Sequence, residues 1–393
     1  MFFTSVKSSH ISSGAVALLV GYTGSIAVLF QLFDTLNLSQ SQISGWMLAL
    51  GIGAGICSII MSFWARQPLL AAWSTPGAAL LAATYAGAPI AEVIGAFIFC
   101  AALLILTGLS GLMAILNKLI PSSLANGLLA GVLFPFILAC FHTLQTEPML
   151  MLAMGASFVV TASWKPQLAI FVSLLFGLVY VAFFNTAVLP EHTSWALERP
   201  DFITPSFSLA TMIGLGLPLY IVTMCSQNIP GIAVQQSFGY KPPVSMSLIV
   251  TGLVTAGLAP FGGFAFNLAA ISASICAGPE ADTDPNTRYR ASVLAGVFYI
   301  CVGLGGAAVV AIVLALPPAL IAIIAGLALL NTFSSSLFQS LQHTKERLPA
   351  LITFLITISG VSFWDIGAAF WGLLAGLILY HGTNHLRPIP QKT

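Results

Sequence analysis

Two stretches place helix-start residues inside apolar runs: Ser74-Thr75-Pro76-Gly77, and Pro260-Phe261-Gly262-Gly263-Phe264-Ala265-Phe266-Asn267. Proline at the first helical position, preceded by Ser and Thr as caps, marks a helix start. After Pro76 only about ten residues precede Gly87, too few to cross roughly 30 Å of hydrocarbon at 1.5 Å per residue. Residues 69–75 are therefore predicted to be extended at membrane depth, with protein or a cavity covering their backbone. The second stretch reads the same way, with Asn267 as cap candidate and a helix of about ten residues. A helix N-terminus carries about half a positive charge and unpaired N–H groups. Two such ends facing each other near the midplane make a site for a small anion. The plainer reading is a pair of kinked helices packed through glycine.

Two further clusters could add polar contacts. Gly21-Tyr22-Thr23-Gly24-Ser25 falls near the middle of the first apolar run, and Ser226-Gln227-Asn228-Ile229-Pro230-Gly231 near the middle of the eighth. Pro230 frees backbone carbonyls in the preceding turn, and the Gln227 and Asn228 amides can donate to a carboxylate. Such amides also glue helices together, so Gln227, Asn228, Tyr22 and Ser25 are candidates for ligand contact with that alternative open. Glu92 is the one carboxylate inside an apolar segment, which makes it a proton-coupling candidate or an interfacial residue. With no acid at the midplane, the pocket suits an anion better than a cation.

These residues need a membrane around them. The chain has 393 residues, 58% hydrophobic and only 6% charged, against about a quarter charged in a soluble domain. Apolar runs fall near 11–34, 41–64, 68–86, 89–115, 121–142, 147–163, 166–186, 207–238, 243–260, 262–277, 289–315, 317–340, 347–362 and 364–384. No period-2 alternation dominates, so an all-α polytopic protein of 14 transmembrane segments is predicted rather than a β-barrel. Of the 12 basic residues only Arg199 falls on the minority face, a positive-inside pattern that puts both termini in the cytoplasm of an inner-membrane protein. The N-terminus reads as the start of the first span rather than a removed leader. Seven segments per half means that any repeat is inverted, with the broken segments 3 and 10 in corresponding positions. The six cysteines form no C-x-x-C pair, and no metal or cofactor is expected beyond a coupling proton. No H-E-x-x-H, G-x-S-x-G or paired intramembrane carboxylates point to an enzyme. Gly51/Gly55, Gly127/Gly131 and Gly372/Gly376 read as helix-packing faces, a dimer contact being one use they allow.

GYTGS at 21–25, QISGW at 42–46, AWSTPGAALL at 72–81, SQNIPGIA at 226–233, APFGG at 259–263 and PEADTDPNTRY at 279–289 together resemble the benzoate:proton symporter (BenE) family, within the nucleobase- and sulphate-type transporter fold group. The resemblance implies seven-plus-seven inverted repeats. It implies a core domain from 1–115 and 207–315, and a gate domain from 116–206 and 316–393. It also puts Ser74, Thr75, Gly77, Gln227, Asn228 and the turn Gly263, Phe264 to Asn267 at the substrate site. Separately, the nearby aromatics Tyr22, Trp46, Trp73, Phe264 and Phe266 could stack on a ring, with a lipid-facing or core position the plainer reading for most of them. The family often has His where Asp282 stands and a smaller residue where Asn267 stands. Nucleobase relatives carry acids on the eighth and tenth spans; their absence favours an aromatic monocarboxylate. The expected function is proton-coupled, elevator-type uptake of benzoate or a similar acid by a protein embedded in the bilayer, with no nucleic-acid partner. A passive anion channel or exchanger, or a nucleobase symporter, on the same scaffold is the alternative.

Overall fold

The computed structural model describes residues 6–85, 87–111, 121–184, 200–364 and 366–386. Lys118, Arg199, Arg387, Lys392, Glu191, Glu198 and Asp365 lie outside them. The first apolar run is one 28-residue span, Ser8–Thr35, as expected, built from helix α1 (Ser8–Thr23) and helix α2 (Ile26–Thr35) with an interruption at Gly24-Ser25. Helix α3 (Gln40–Ala65) starts on a capping box in which the Ser39 hydroxyl accepts the Gln42 N–H and the Gln42 side chain accepts the Ser39 N–H. Then come strand β1 (Ala71–Trp73), the short helix α4 (Thr75–Thr84) and helix α5 (Ile90–Ser110).

Helices α6 (Ser122–Thr146), α7 (Pro148–Trp164) and α8 (Ala169–Phe184) follow. Next are α9 (Leu209–Ser237), α10 (Val244–Leu258), strand β2 (Phe266–Leu268) and the seven-residue helix α11 (Ile271–Ala277). Helices α12 (Tyr289–Leu304) and α13 (Gly306–Leu314) form one apolar unit bent by 67°. The chain continues through α14 (Pro318–Gln342), α15 (Arg347–Ser359) and α16 (Ala368–Leu386). Among the described residues seven helices are long and apolar enough to cross a membrane, or eight with the bent pair. The chain is a multi-pass helical membrane protein.

The predicted extended stretch and its ten-residue helix appear as β1 and α4. The second broken segment differs from expectation. Its helix begins at Ile271, not near Gly263, because residues 266–268 pair antiparallel with β1: Ala71 opposite Leu268, Ala72 opposite Asn267, Trp73 opposite Phe266. Gly262, at φ +87°, and Ala265, at φ +44°, turn the chain into that ribbon. Asn267 is therefore a strand residue rather than a helix cap.

The predicted small-residue faces are used within the chain. A Cβ at Gly51 would lie 2.6 Å from Gly303 Cα, and one at Gly55 would lie 2.5 Å from the Gly296 carbonyl, so α3 and α12 touch backbone to backbone. Gly127 and Gly131 of α6 press on Ala350 and Thr357 of α15, and Gly372 and Gly376 of α16 press on Thr357 and Thr353. All three pairs serve as helix-packing faces within the chain.

At the end of the molecule that carries Lys7, the loop 278–288 is tied to the start of α1. Lys7 Nζ lies 2.9 Å from both Asp282 carboxylate oxygens. The Lys7 N–H donates to His10 Nδ1, leaving His10 Nε2 to face Asp282 Oδ2 at 2.9 Å. The Lys7 ammonium, then the Thr287 hydroxyl, hold the Asp282 carboxyl well below the usual carboxylate range. A carboxylate with a lowered folded pKa stabilises the fold above its unfolded pKa of about 3.9, and that contribution fades as pH falls below it. The Asp282 contribution to thermal stability should thus be constant from neutral pH to about 5 and weaken below about 4. Asp282→Asn is expected to cost about 1–2 kcal/mol near pH 7 in chemical denaturation. That is less than the roughly 3–5 kcal/mol of a fully buried pair because the Lys7 side chain is 57% exposed and screened.

Candidate functional site

A cavity of about 430 Å³ lies where the helix breaks converge. One wall is built from broken elements: Gly21, Gly24 and Ser25 at the α1–α2 break, Ala72 and Trp73 of β1, and Thr75 and Pro76 opening α4. Ser226, Gln227 and Pro230 of α9 and the turn Ala269–Ser272 complete that wall. The facing wall comes from α6, α7 and α14, and supplies Asn126, Phe158, Asn331, Thr332, Ser335 and Gln339. No lining residue among those described carries a charge. The volume falls within the roughly 300–1,000 Å³ of small-molecule sites.

Each breakpoint has a local cause. The Ser74 hydroxyl accepts the Gly77 N–H at 3.0 Å and Pro76 has none. Thr75 is thus the first-turn position on the cavity wall that offers both an N–H and a hydroxyl. Along α9 the backbone widens into π-type turns over Met212–Gly216 and Met224–Asn228, just ahead of Pro218 and Pro230. A proline removes a helical hydrogen bond, and the widened turn absorbs the misfit, a pattern frequent at functional sites. Ser25 donates its hydroxyl to the Gly21 carbonyl at 2.6 Å, and Ser226 donates to the Val222 carbonyl at 2.6 Å. Both hydroxyls are committed as donors to their own helices.

The predicted residues separate into two groups. Ser25, Thr75 and Gln227 line the cavity. Ser74, Gly77, Asn228, Tyr22, Gly263, Phe264 and Asn267 stand off its wall. Ser74 is the cap. A Cβ at Gly77 would run into Ser74 and Leu219. Asn228 is fully buried and its Oδ1 accepts the Leu268 N–H at 3.0 Å, so it anchors β2. Gln235 does the same for the approach to β1 by donating to the Pro68 carbonyl at 2.6 Å. Phe264 is fully buried against Phe97, and Gly263 packs on Leu258. Asn267 is fully buried and donates to the Ala265 carbonyl. Tyr22 sits behind Trp73, ring centroids 5.1 Å apart. Glu92 is also off the cavity and accepts the Thr211 hydroxyl of α9 at 2.6 Å.

Sequence reasoning missed the α14 wall. Asn331, Ser335 and Gln339 recur every four residues, which places them on one face of the polar C-terminal half of the helix. That polar stripe was visible in the sequence. The Asn126 amide of α6 crosses to it by donating to Gln339 Oε1 at 3.3 Å.

The model of the benzoate membrane transport protein (BenE) family matches residues 4–381. The chain belongs to the BenE family. Among curated BenE-like relatives it is 41% identical to the inner membrane protein YdcO of Escherichia coli (strain K12), over 96% of each chain. It is 33% identical to the benzoate membrane transport protein of Acinetobacter baylyi, over 94% of this chain and 93% of that one. Solved structures share the fold. The transmembrane domain of a cyanobacterial bicarbonate transporter, BicA, superposes with a TM-score of 0.54 at 16% identity, over 93% of this chain and 97% of that one. The murine Slc26a9 anion transporter in its inward-facing state gives 0.61 at 11% identity, over 97% and 69%. A BenE chain with this fold is a membrane transporter, not an enzyme.

Proposed function

We propose that the chain is a secondary active transporter that takes up benzoate or a similar aromatic monocarboxylate together with a proton. The observation that carries this reading is the uncharged cavity at the N-terminus of α4. A fixed cationic side chain there would bind anions tightly but release them slowly. A helix end and neutral donors hold a carboxylate reversibly. The apolar lining, Phe158 and Trp73 among it, suits a ring. Glu92 remains the proton-coupling candidate, because the Thr211 hydroxyl links it to α9, the helix that also supplies Gln227.

The same reading takes the chain as 14 crossings in a seven-plus-seven inverted repeat, with both termini in the cytoplasm. The antiparallel pairing of β1 with β2 supports it by joining the corresponding broken segments of the two halves. Packing supports a core of residues 1–115 and 207–315 working against a gate of 116–206 and 316–393. Helix α3 packs on α12 and α5 on α10, α6 packs on α14 and α15, and the cavity lies between the two sets.

Binding is tested by thermal unfolding of the detergent-purified protein with benzoate, uracil, sulfate and bicarbonate. A ligand that binds only the folded state raises the unfolding temperature by mass action, by about 2.7 kcal/mol of added stability at a hundredfold excess over Kd. Benzoate alone should stabilise. Stabilisation by uracil or sulfate without benzoate would reject the substrate assignment.

A further inference from the structure

Buried polar groups without partners are rare in folded proteins, and each calls for an explanation. Among the described residues several such atoms occur, including Tyr22 Oη, Thr223 Oγ1, Ser247 Oγ, Asn267 Oδ1 and Trp73 Nε1. Of all those atoms, only Trp73 Nε1 belongs to a residue on the cavity wall. Trp73 is the last residue of β1, directly before the Ser74 cap, and is 2% exposed. Its ring is fixed from two sides. Tyr22 meets it edge-on at 5.1 Å and Tyr299 at 5.9 Å, with interplanar angles of 89° and 88°. Tyr299 is held in turn by Gly21, where a Cβ would come 2.3 Å from the Tyr299 hydroxyl oxygen. The indole thus sits beside the first turn of α4 with its one donor unused and covered, so a ligand meets it only as the wall atoms over it move aside.

The neighbouring donors are already committed. The Ser25 and Ser226 hydroxyls serve their own helices, and the Gly77 N–H goes to Ser74. An indole N–H donates and cannot accept, so its missing partner must be an acceptor. A carboxylate, which is acceptor-only when ionised, fits.

We propose that Trp73 is a specificity-determining residue whose Nε1–H donates to the substrate carboxylate beside Thr75, with Tyr22 and Tyr299 positioning its ring. This rests on the aromatic-carboxylate reading above and adds the side chain that recognises the carboxylate. Losing the contact should weaken every carboxylate ligand alike, whatever its ring.

The test replaces the N–H with minimal change of shape. Trp73 is exchanged for 3-benzothienylalanine, which puts sulfur in place of the N–H, and in parallel Trp73→Phe is made. Trp64→Phe, exposed near the end of α3 and off the cavity, is the control. Equilibrium binding of benzoate and of cyclohexanecarboxylate is measured, together with the unfolding temperature of the ligand-free protein. The expected result for the sulfur isostere is about tenfold weaker binding of both acids, one charge-assisted hydrogen bond, with the ligand-free unfolding temperature unchanged or higher because a buried unpaired donor is gone. The control should bind as the wild type does. Wild-type affinity in the isostere would overturn the proposal while leaving the aromatic-carboxylate reading standing. A wild-type protein that binds neither acid would remove both. If the phenylalanine variant fails to fold, the isostere decides.

Discussion

Gly53→Val is expected to unfold the β1–β2 ribbon and abolish transport. A Cβ at Gly53 would lie 2.0 Å from Phe266 Cζ and within 2.6 Å of two further atoms of the same ring. Phe266 is fully buried in β2 opposite Trp73 and cannot swing aside without breaking the pairing that holds both strands. Overpacking in a close-packed interior costs about 1–3 kcal/mol, and occasionally more. Gly53→Ala should fall within that range, and Gly53→Val beyond about 3 kcal/mol with little folded protein recovered. Size-exclusion profiles and unfolding temperatures in detergent report both. A Gly53→Val protein with wild-type stability would contradict the close contact. The effect should be sharper than at Gly257, where a Cβ meets nothing within 4 Å.

Asn228→Leu is the second large effect, and it separates anchoring from ligand contact. The side chain is fully buried, with Oδ1 accepting the Leu268 N–H at 3.0 Å and Nδ2 against Met224 Sδ at 3.4 Å. Leucine has a similar volume but leaves a buried strand N–H without a partner, which costs about 1–3 kcal/mol. The loss falls on β2, so the cavity wall beside it should lose its geometry. Benzoate affinity should drop by about tenfold, a displacement equivalent to roughly 1.4 kcal/mol, although Asn228 does not line the cavity. Gln227→Leu, one residue away and on the wall, should weaken binding without lowering the ligand-free unfolding temperature. If Asn228→Leu left that temperature unchanged while binding was lost, Asn228 would be a direct ligand contact instead.

The contrast between these neighbours shows what the sequence could and could not reveal. Composition and punctuation were enough to identify a charge-poor helical membrane protein and to find the first broken segment. Pro76 and its Ser-Thr caps are local signals, and β1 and α4 sit where those signals put them. The second broken segment misled for a physical reason. Its Pro-Gly-Gly opening resembles a helix start, but residues 266–268 pair with a strand almost two hundred positions earlier, and no local rule reports such a partner. The helix consequently starts at Ile271, and Gly263, Phe264 and Asn267 move off the cavity. Gln227 and Asn228 are adjacent amides with the same intrinsic chemistry. Adjacent positions on a helix point about 100° apart, and only the packing of α9 assigns one to the cavity and the other to β2. In the same way Gly51 and Gly55 share a helix face toward α12. Gly53, about 200° around the helix, serves Phe266 on another side. The four-residue spacing of Asn331, Ser335 and Gln339 is legible as a helix face, but only the packing of α14 against the broken segments makes that face a cavity wall.

Transport itself is tested most directly in proteoliposomes holding the purified protein, by following radiolabelled benzoate under an imposed inward proton gradient. Accumulation above the equilibrium level is expected, collapsing when a protonophore dissipates the gradient and competed by other aromatic monocarboxylates but not by uracil or sulfate. Empty vesicles processed in parallel account for passive entry of the neutral acid. Benzoate entry no greater than in the empty vesicles, or uptake that merely equilibrates and ignores the gradient, would contradict proton-coupled transport of an aromatic carboxylate.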